Sequence, residues 1–331
     1  MSTDEKLLEQ VNAILIERSK KAVELSRQAV LAEKIKYEPL WEALRYFMNE
    51  ICYDSSHPTL LSLACEAVGG NPDETIGIAT AIVLLTAAAD IHDDVIDKSE
   101  TKGSKPTVYG KYGKDIAIIA ADVLWLKGML LLNEASEHFA LEKKQEILKL
   151  TKQAFIDIGS AEAKDASLRG KTDINPDEFL ELIKLKVSVA VASAKIGAVI
   201  GNGNRQQIEN LGEYAKTLGV LRTIREDFIN MFEPEELTNR FKNECLPLPI
   251  LYAFQDAHLK KKILEFLERN EITEAKLNEI IELIYDAPEV RKLGKYMRQS
   301  VEETTRNLYY QKKTESALIQ LLQFTLQDLP T

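Results

Sequence analysis

The chain has 331 residues, 45% hydrophobic and 28% charged, with only 15 glycines and 10 prolines, which excludes disordered and collagen-like classes. Its formal net charge of −10 and pI near 5.2 argue against a nucleic-acid partner, because neutralising phosphates needs Lys and Arg clustered on one face. The length suits one large domain spanning residues 1–331 with a well-buried core.

The N-terminus, MSTDEKLLEQ, is acidic and lacks a basic segment followed by an apolar one, so no signal peptide is expected. Apolar residues then recur at three- and four-residue spacing, first in Leu7, Leu8, Val11, Ile14 and Leu15, which predicts helix. Asn71-Pro72-Asp73-Glu74, after Gly69-Gly70, reads as a helix start, with proline in the first turn and acids at the positive end of the dipole. The helix predicted over about 73–97 is the most apolar in the chain, running from Ile76 through Leu85 to Ala87, Ala88 and Ala89. A helix apolar nearly all round belongs in a core. No apolar run is expected to reach the ~18 residues of a membrane span. The chain breaks again at Lys102-Gly103-Ser104-Lys105-Pro106. A second apolar pattern, Leu180, Ile183, Val187, Val191, Ala194 and Ala198, runs between Asn175-Pro176 and Gly201-Asn202-Gly203-Asn204, and Pro234 marks a later break. Strand-like alternation is scarce, so the predicted fold class is all-α. Cys52, Cys65 and Cys245 have no metal-ligand or redox spacing and read as buried thiols in a reducing cytoplasm.

Asp90, Asp93, Asp94 and Asp97 crowd the last turns of helix 73–97. Asp93 and Asp97 lie one turn apart on one face, with the other two beside them. Carboxylates this close repel one another, and the end of a helix is the wrong end of the dipole for anions. The cluster is either a solvated helix end or a cation site, and its place at the end of a core helix favours the cation. Hard oxygen ligands suit Mg²⁺, which takes one or two carboxylates and completes its shell with substrate phosphates.

The segment Ile91-His92-Asp93-Asp94-Val95-Ile96-Asp97 resembles the first aspartate-rich motif of the trans-isoprenyl diphosphate synthases. Pro106-Thr107 falls at that family's post-motif loop, Ala121-Asp122-Val123-Leu124 is similar to its Gly-Asp-x-Leu helix, and Leu185-Lys186 resembles its lysine step. Ile224-Arg225-Glu226-Asp227-Phe228-Ile229-Asn230 falls where the second motif belongs, and Leu246-Pro247-Leu248 follows it as in the family. These correspondences run in order from about residue 40 to 255, roughly two-thirds of the chain. The resemblance implies a bundle of long helices around a central cavity, the isoprenoid synthase fold, with the two acidic motifs facing each other across its mouth. It implies that Asp93, Asp94, Asp97 and Lys186 act on an allylic prenyl diphosphate, and that Asp93, Asp97, Glu226, Asp227 and Asn230 hold Mg²⁺. Isopentenyl diphosphate then attacks the allylic cation. Ala88 and Ala89 occupy positions whose bulk sets chain length in the family, which implies an open channel and a product of twenty carbons or more.

Several family positions are altered. The basic Gly-Lys-Arg-x-Arg-Pro loop is here Tyr53-Asp54-Ser55-Ser56-His57-Pro58, leaving His57 to meet the substrate. The post-motif Arg-Arg-Gly is Lys102-Gly103-Ser104, which keeps one positive charge at Lys102 and loses the bidentate fork. Isopentenyl diphosphate is therefore expected to bind the isolated chain weakly. Glu226 and Asn230 replace aspartates of the second motif. Arg222 and Arg225 also lie on that helix. Either they supply the charge the loop lacks, or Arg222 pairs with Glu226 across one turn while Arg225 faces solvent. Lys186 is either a phosphate contact or a surface salt bridge. His92, Trp41 and Trp125 read as structural.

The leading expectation is an Mg-dependent prenyltransferase. A catalytically weak subunit that tunes a paralogue, and a terpene-cyclase-like lyase with no second diphosphate site, remain open alternatives. A homodimer or a heteromer with a paralogue, a cytoplasmic location, no nucleic acid and no integral membrane segment complete the expectation.

Overall fold

A computed structural model describes residues 3–52, 54–268, 274–308, 312–327 and 329, so Tyr53 of the altered loop lies outside the described residues. Helices α1 (Thr3–Leu31), α2 (Glu38–Tyr46), α3 (Ser56–Ala67) and α4 (Ile76–Asp97) lead into a short antiparallel hairpin that pairs Thr101–Lys102 with Lys105–Pro106. Next come α5 (Val108–Tyr112), α6 (Lys114–Ser136), α7 (Leu141–Leu168), α8 (Pro176–Lys186), α9 (Ser188–Ile200) and α10 (Arg205–Asn230). The C-terminal part holds α11 (Pro234–Asn243), α12 (Leu248–Ala253), α13 (Ala257–Leu267), α14 (Glu274–Asp286), α15 (Pro288–Arg306) and α16 (Lys312–Phe324). The fold is all-α, as the periodicity predicts.

The reason α4 is apolar all round is that it packs on two cores at once. Ile78, Ala81, Ile82 and Leu85 join one cluster with Leu61, Ile196 and Ile200, while Leu84, Ala88 and Ile91 join a second with Leu44, Ala121 and Leu124. By length and composition α4 and its leading turn, Pro72–Asp97, would pass for a membrane span, with a window of mean hydropathy 1.6. That exceeds the apolar run expected from the sequence. Yet 67% of the window is buried inside the fold, as in a core helix.

Close helix approaches fix the frame around it. A Cβ on Gly128 of α6 would come within 2.9 Å of the Leu85 side chain, and one on Gly197 of α9 would come within 2.2 Å of the Leu61 carbonyl oxygen on α3. Side chains at either position would push the paired helices apart.

The predicted breakers fall between helices. Asn71 accepts a hydrogen bond from the Asp73 amide, Asn175 from those of Asp177 and Glu178, and Asn204 forms a capping box with Gln207. One break is missed by periodicity. The apolar pattern over 180–198 reads as one helix, but the chain turns at Val187 (φ −88°, ψ 11°) between α8 and α9. That turn puts Lys186 at the end of α8, against two cavities.

Candidate active site

Asp93 on α4 lines a cavity of about 640 Å³, walled by Thr86, Ala89, Ile96, Trp125, Phe155 and Val189. Trp125 stacks edge-on against Phe155 with ring centroids 5.0 Å apart. It is 36% exposed, so the structure corrects its expected core role: Trp125 forms part of the cavity wall. Ala88 is also corrected. It is fully buried in the core and does not line the cavity, whereas Ala89, the next residue round the helix, does.

The four aspartates divide between two tasks. Asp94 turns inward, 2% exposed, and pairs with Lys102 Nζ at 3.0 Å, while Lys102 also reaches Asp90 at 2.9 Å. Asp94 therefore anchors the hairpin after the motif, a role different from that of its neighbour Asp93. Asp94 Oδ2 is buried with no hydrogen-bond partner. Burial pushes the Asp94 carboxyl up to about 7 against the Lys102 charge, with Asp90 and Asp93 adding to the rise. Asp97 pairs with Arg169, and burial together with the charges of Asp93 and Glu244 pushes it up to about 8. Asp93 is raised by burial first, and by Asp90 and Asp165, against Lys186 and Lys102.

Lys186 is no isolated surface pair. It bonds Asp165 and lies 2.9 Å from Glu162, both on α7, and it lines the cavity beside Asp93. Glu162 and Glu244 are likewise raised, Glu244 to about 7, with burial the leading cause in both. The buried Oδ1 of Asp165 has no partner. Five carboxylates, Asp93, Asp97, Glu162, Asp165 and Glu244, thus act on one another, with Lys186, Arg169 and Arg240 as the cations paired among them. Sequence reading misses three of them, because Glu162, Asp165 and Glu244 lie outside the motifs. Their only signal is the i,i+3 spacing of two acids on α7.

The second motif departs from expectation. Asp227 is buried and held by Arg240 Nη1 at 2.5 Å and by the Leu248 amide at 2.9 Å. A carboxylate fixed this way points toward α11 and α12, so the expected metal-ligand role of Asp227 is not supported by its contacts. Neither Asp227 nor Asn230 lines either of the cavities at this mouth. Glu226 is ion-paired to Arg222 at 2.9 Å. Arg222 makes the expected pair with Glu226 across one turn, and it also reaches Ser56 on α3. Arg225 does not face open solvent, since its Nε donates to the Gln327 carbonyl at 3.2 Å and its guanidinium lies 4.5 Å from the Phe324 ring centre.

These arginines border a second cavity of about 480 Å³, with an apolar floor that includes Leu15, Leu60, Leu218 and Phe324. His57 and Lys186 line both cavities. His57 is held in place by the half-buried Asp54, whose Oδ2 lies 2.8 Å from His57 Nδ1 and accepts from Thr86 Oγ1 at 2.8 Å. Burial pushes Asp54 up, but the His57 charge and these hydrogen bonds outweigh it and bring the carboxyl down to about 2. His92 Nε2 lies 3.4 Å from Asp122 on α6, and His92 also lines the cavity beside Asp93.

The raised carboxyls have a consequence for the metal-free protein. A group whose folded pKa lies above its unfolded value favours the fold while protonated, so stability falls as pH rises from about 4 toward 8. The expected result is a drop of several degrees in Tm between pH 5 and pH 8, with Mg²⁺ restoring more at pH 8 than at pH 6. A metal-free Tm that rises across this window, or a Mg²⁺ effect that is larger at pH 6, would contradict the assignment of the cluster.

Comparison with known proteins bears on what this mouth belongs to. The Polyprenyl synthetase family profile matches residues 55–284, which include His57, Asp93, Lys186 and Arg222. The chain belongs to the polyprenyl synthetase family. Over 180 residues it is 32% identical to a short chain isoprenyl diphosphate synthase of Methanothermobacter thermautotrophicus, covering 54% of each chain. Over 211 residues it is 30% identical to a geranylgeranyl diphosphate synthase of Methanosarcina mazei, covering 63% of this chain and 64% of that one. The matched stretch thus spans about half of the first relative and under two-thirds of the second. A geranylgeranyl pyrophosphate synthetase from Pyrococcus horikoshii superimposes with a TM-score of 0.83 at 23% identity, covering 97% of this chain and 99% of that chain, so the isoprenoid synthase fold is shared along nearly its whole length. In this chain the first motif keeps its acids, while Asp227 of the second is held by Arg240 and the Leu248 amide and Glu226 is paired with Arg222.

Proposed function

We propose that this chain is an Mg-dependent prenyltransferase of the isoprenyl diphosphate synthase type, built as one domain, that extends an allylic diphosphate with isopentenyl diphosphate to twenty carbons or more. The observation that carries the reading is the pair of cavities sharing His57 and Lys186, one apolar and acidic at its mouth, the other apolar and basic. The larger volume lies inside the ~300–1,000 Å³ usual for ligand sites. Its apolar walls suit a prenyl tail, with Ala89 leaving the path open.

The residues fit a divalent cation, because half-buried carboxylates raised first by desolvation and then by one another's charge would be stabilised by added positive charge. Asp93 and Asp97 would hold Mg²⁺. Among the described residues no group of three or more His, Cys, Asp or Glu side chains is placed to hold a metal ion by itself, so Mg²⁺ here would need diphosphate oxygens to complete its shell. Bound there, Mg²⁺ supplies positive charge to the departing diphosphate. Lys186 sits where it adds a second charge to the same leaving group. As the allylic C–O bond breaks, the apolar walls around Trp125 and Phe155 keep water from the cation. The isopentenyl double bond attacks the allylic carbon from the neighbouring cavity, with His57 and Arg222 placed to hold its diphosphate, and the tertiary cation so formed loses a proton to the released diphosphate.

An apolar strip on α6, Ile119, Leu126, Met129 and Leu130, is 43–61% exposed and supports a homodimer, with a paralogue as the other possible occupant. Three free cysteines fit the cytoplasm.

Arg222 decides how far the lost basic loop is offset. Calorimetry with isopentenyl diphosphate is expected to show binding to the wild-type chain, and Arg222→Ala should weaken it by roughly 10- to 100-fold, the worth of one charge-assisted hydrogen bond. Unchanged affinity would remove Arg222 from the site, and binding only beside a co-expressed paralogue would favour the regulatory-subunit reading.

A further inference from the structure

One cation at the mouth belongs to neither motif. α7 ends at Leu168, Arg169 is extended (φ −55°, ψ 137°), and Gly170 follows in the left-handed region at φ +68°. This turn lays the Arg169 guanidinium on the end of α4. Its Nη1 donates to the Ile96 carbonyl at 2.6 Å and its Nη2 pairs with the Asp97 carboxylate. Ile96 and Ala166, on either side of this contact, both line the tail cavity. The loop after the first motif offers no guanidinium, and its Lys102 is held between Asp90 and Asp94.

We infer that Arg169 acts as the counter-ion of Asp97 in the free protein and becomes a ligand of the diphosphate once metal and substrate bind. The inference rests on the prenyltransferase reading above. A divalent cation approaching Asp97 meets a guanidinium already on that carboxylate, and the two repel each other at close range. Without an anion, Arg169 therefore competes with the metal. A diphosphate changes the sign, because its oxygens bring several negative charges between the two cations and present paired acceptors that match the planar fork of arginine. Gly170, with no side chain to restrict its backbone, allows the short movement this requires.

The competing role is a strap: the Ile96 carbonyl is one of the last of α4, where carbonyls lack intrahelical partners, and Arg169 could serve only to cap it. The two roles separate by the sign of two binding changes in the full-length protein. Titration with Mg²⁺ alone, followed by thermal shift, is expected to show Arg169→Gln binding the metal about tenfold more tightly than wild type, since its competitor is gone. Calorimetry with inorganic pyrophosphate at saturating Mg²⁺ is expected to show the same variant binding about 10- to 100-fold more weakly. Arg169→Lys, which keeps the charge and loses the fork, should leave Mg²⁺ affinity near wild type and recover only part of the pyrophosphate affinity. A strap predicts a lower Tm with both affinities moving together or neither moving, and either result would overturn the inference. Wild-type protein that binds no pyrophosphate with Mg²⁺ present would instead overturn the prenyltransferase reading itself, and this inference with it.

Discussion

Replacing Asp93 or Asp97 with alanine is expected to lower diphosphate-dependent turnover by roughly 10²–10⁴, a loss of ~3–5 kcal/mol of transition-state stabilisation, while the helical fold survives. Asp93 lines the tail cavity, and both carboxylates crowd a cluster that burial and neighbouring charges already disfavour. Taking one negative charge away relieves repulsion, so the metal-free Tm of the Asp93→Ala protein should hold or rise. Activity and stability therefore move apart, which ordinary structural damage does not produce. Circular dichroism melts beside steady-state rates make the comparison. Wild-type turnover in the double alanine variant would remove these residues from the site.

Asp227→Ala is expected to do the opposite. The Asp227–Arg240 pair is buried, with side chains only 6% and 12% exposed, and the second Asp227 oxygen takes the Leu248 amide. Removing one member leaves the other charge buried without its partner, which costs about 3–5 kcal/mol. For a chain of this size that is a fall of roughly 4–7 °C in Tm. A chemical-denaturation curve would show the loss directly, and replacing Arg240 with Met alongside Asp227→Leu should recover much of it. If Asp227→Ala melts like wild type but loses Mg²⁺-dependent pyrophosphate binding, Asp227 is a metal ligand after all.

These two expectations mark where the sequence is informative. The first motif is legible because its signal is local: an apolar run and four acids within eight residues of one helix fix both the core helix and the shared face of Asp93 and Asp97. The helix boundaries are legible for the same reason, since Asn-Pro, Gly-Asn and Gly-Gly punctuation acts over a few residues. Side-chain partners across helices are not local. Whether Asp227 faces a metal or Arg240 depends on where α11 turns back, and its spacing is unchanged from the family pattern. Lys186 meets α7 acids that lie 21 and 24 residues earlier in the chain. Asp94 and Asp93 are adjacent in sequence, and only the position of the hairpin carrying Lys102 tells which of them turns inward. Ala88 and Ala89 differ by a 100° rotation about the helix, finer than an alignment of motifs resolves. The break at Val187 has no glycine, proline or cap to announce it.

On the proposed reading, this chain lengthens a prenyl diphosphate between its two cavities. Product analysis after incubation with Mg²⁺, labelled isopentenyl diphosphate, and either farnesyl or geranylgeranyl diphosphate tests it most directly. Diphosphates of twenty carbons or more are expected from the wild-type chain alone, and shorter or fewer extended products from Ala89→Phe, whose ring would enter the tail cavity. Hydrocarbons or alcohols in place of extended diphosphates, or no extension unless a paralogue is added, would contradict it.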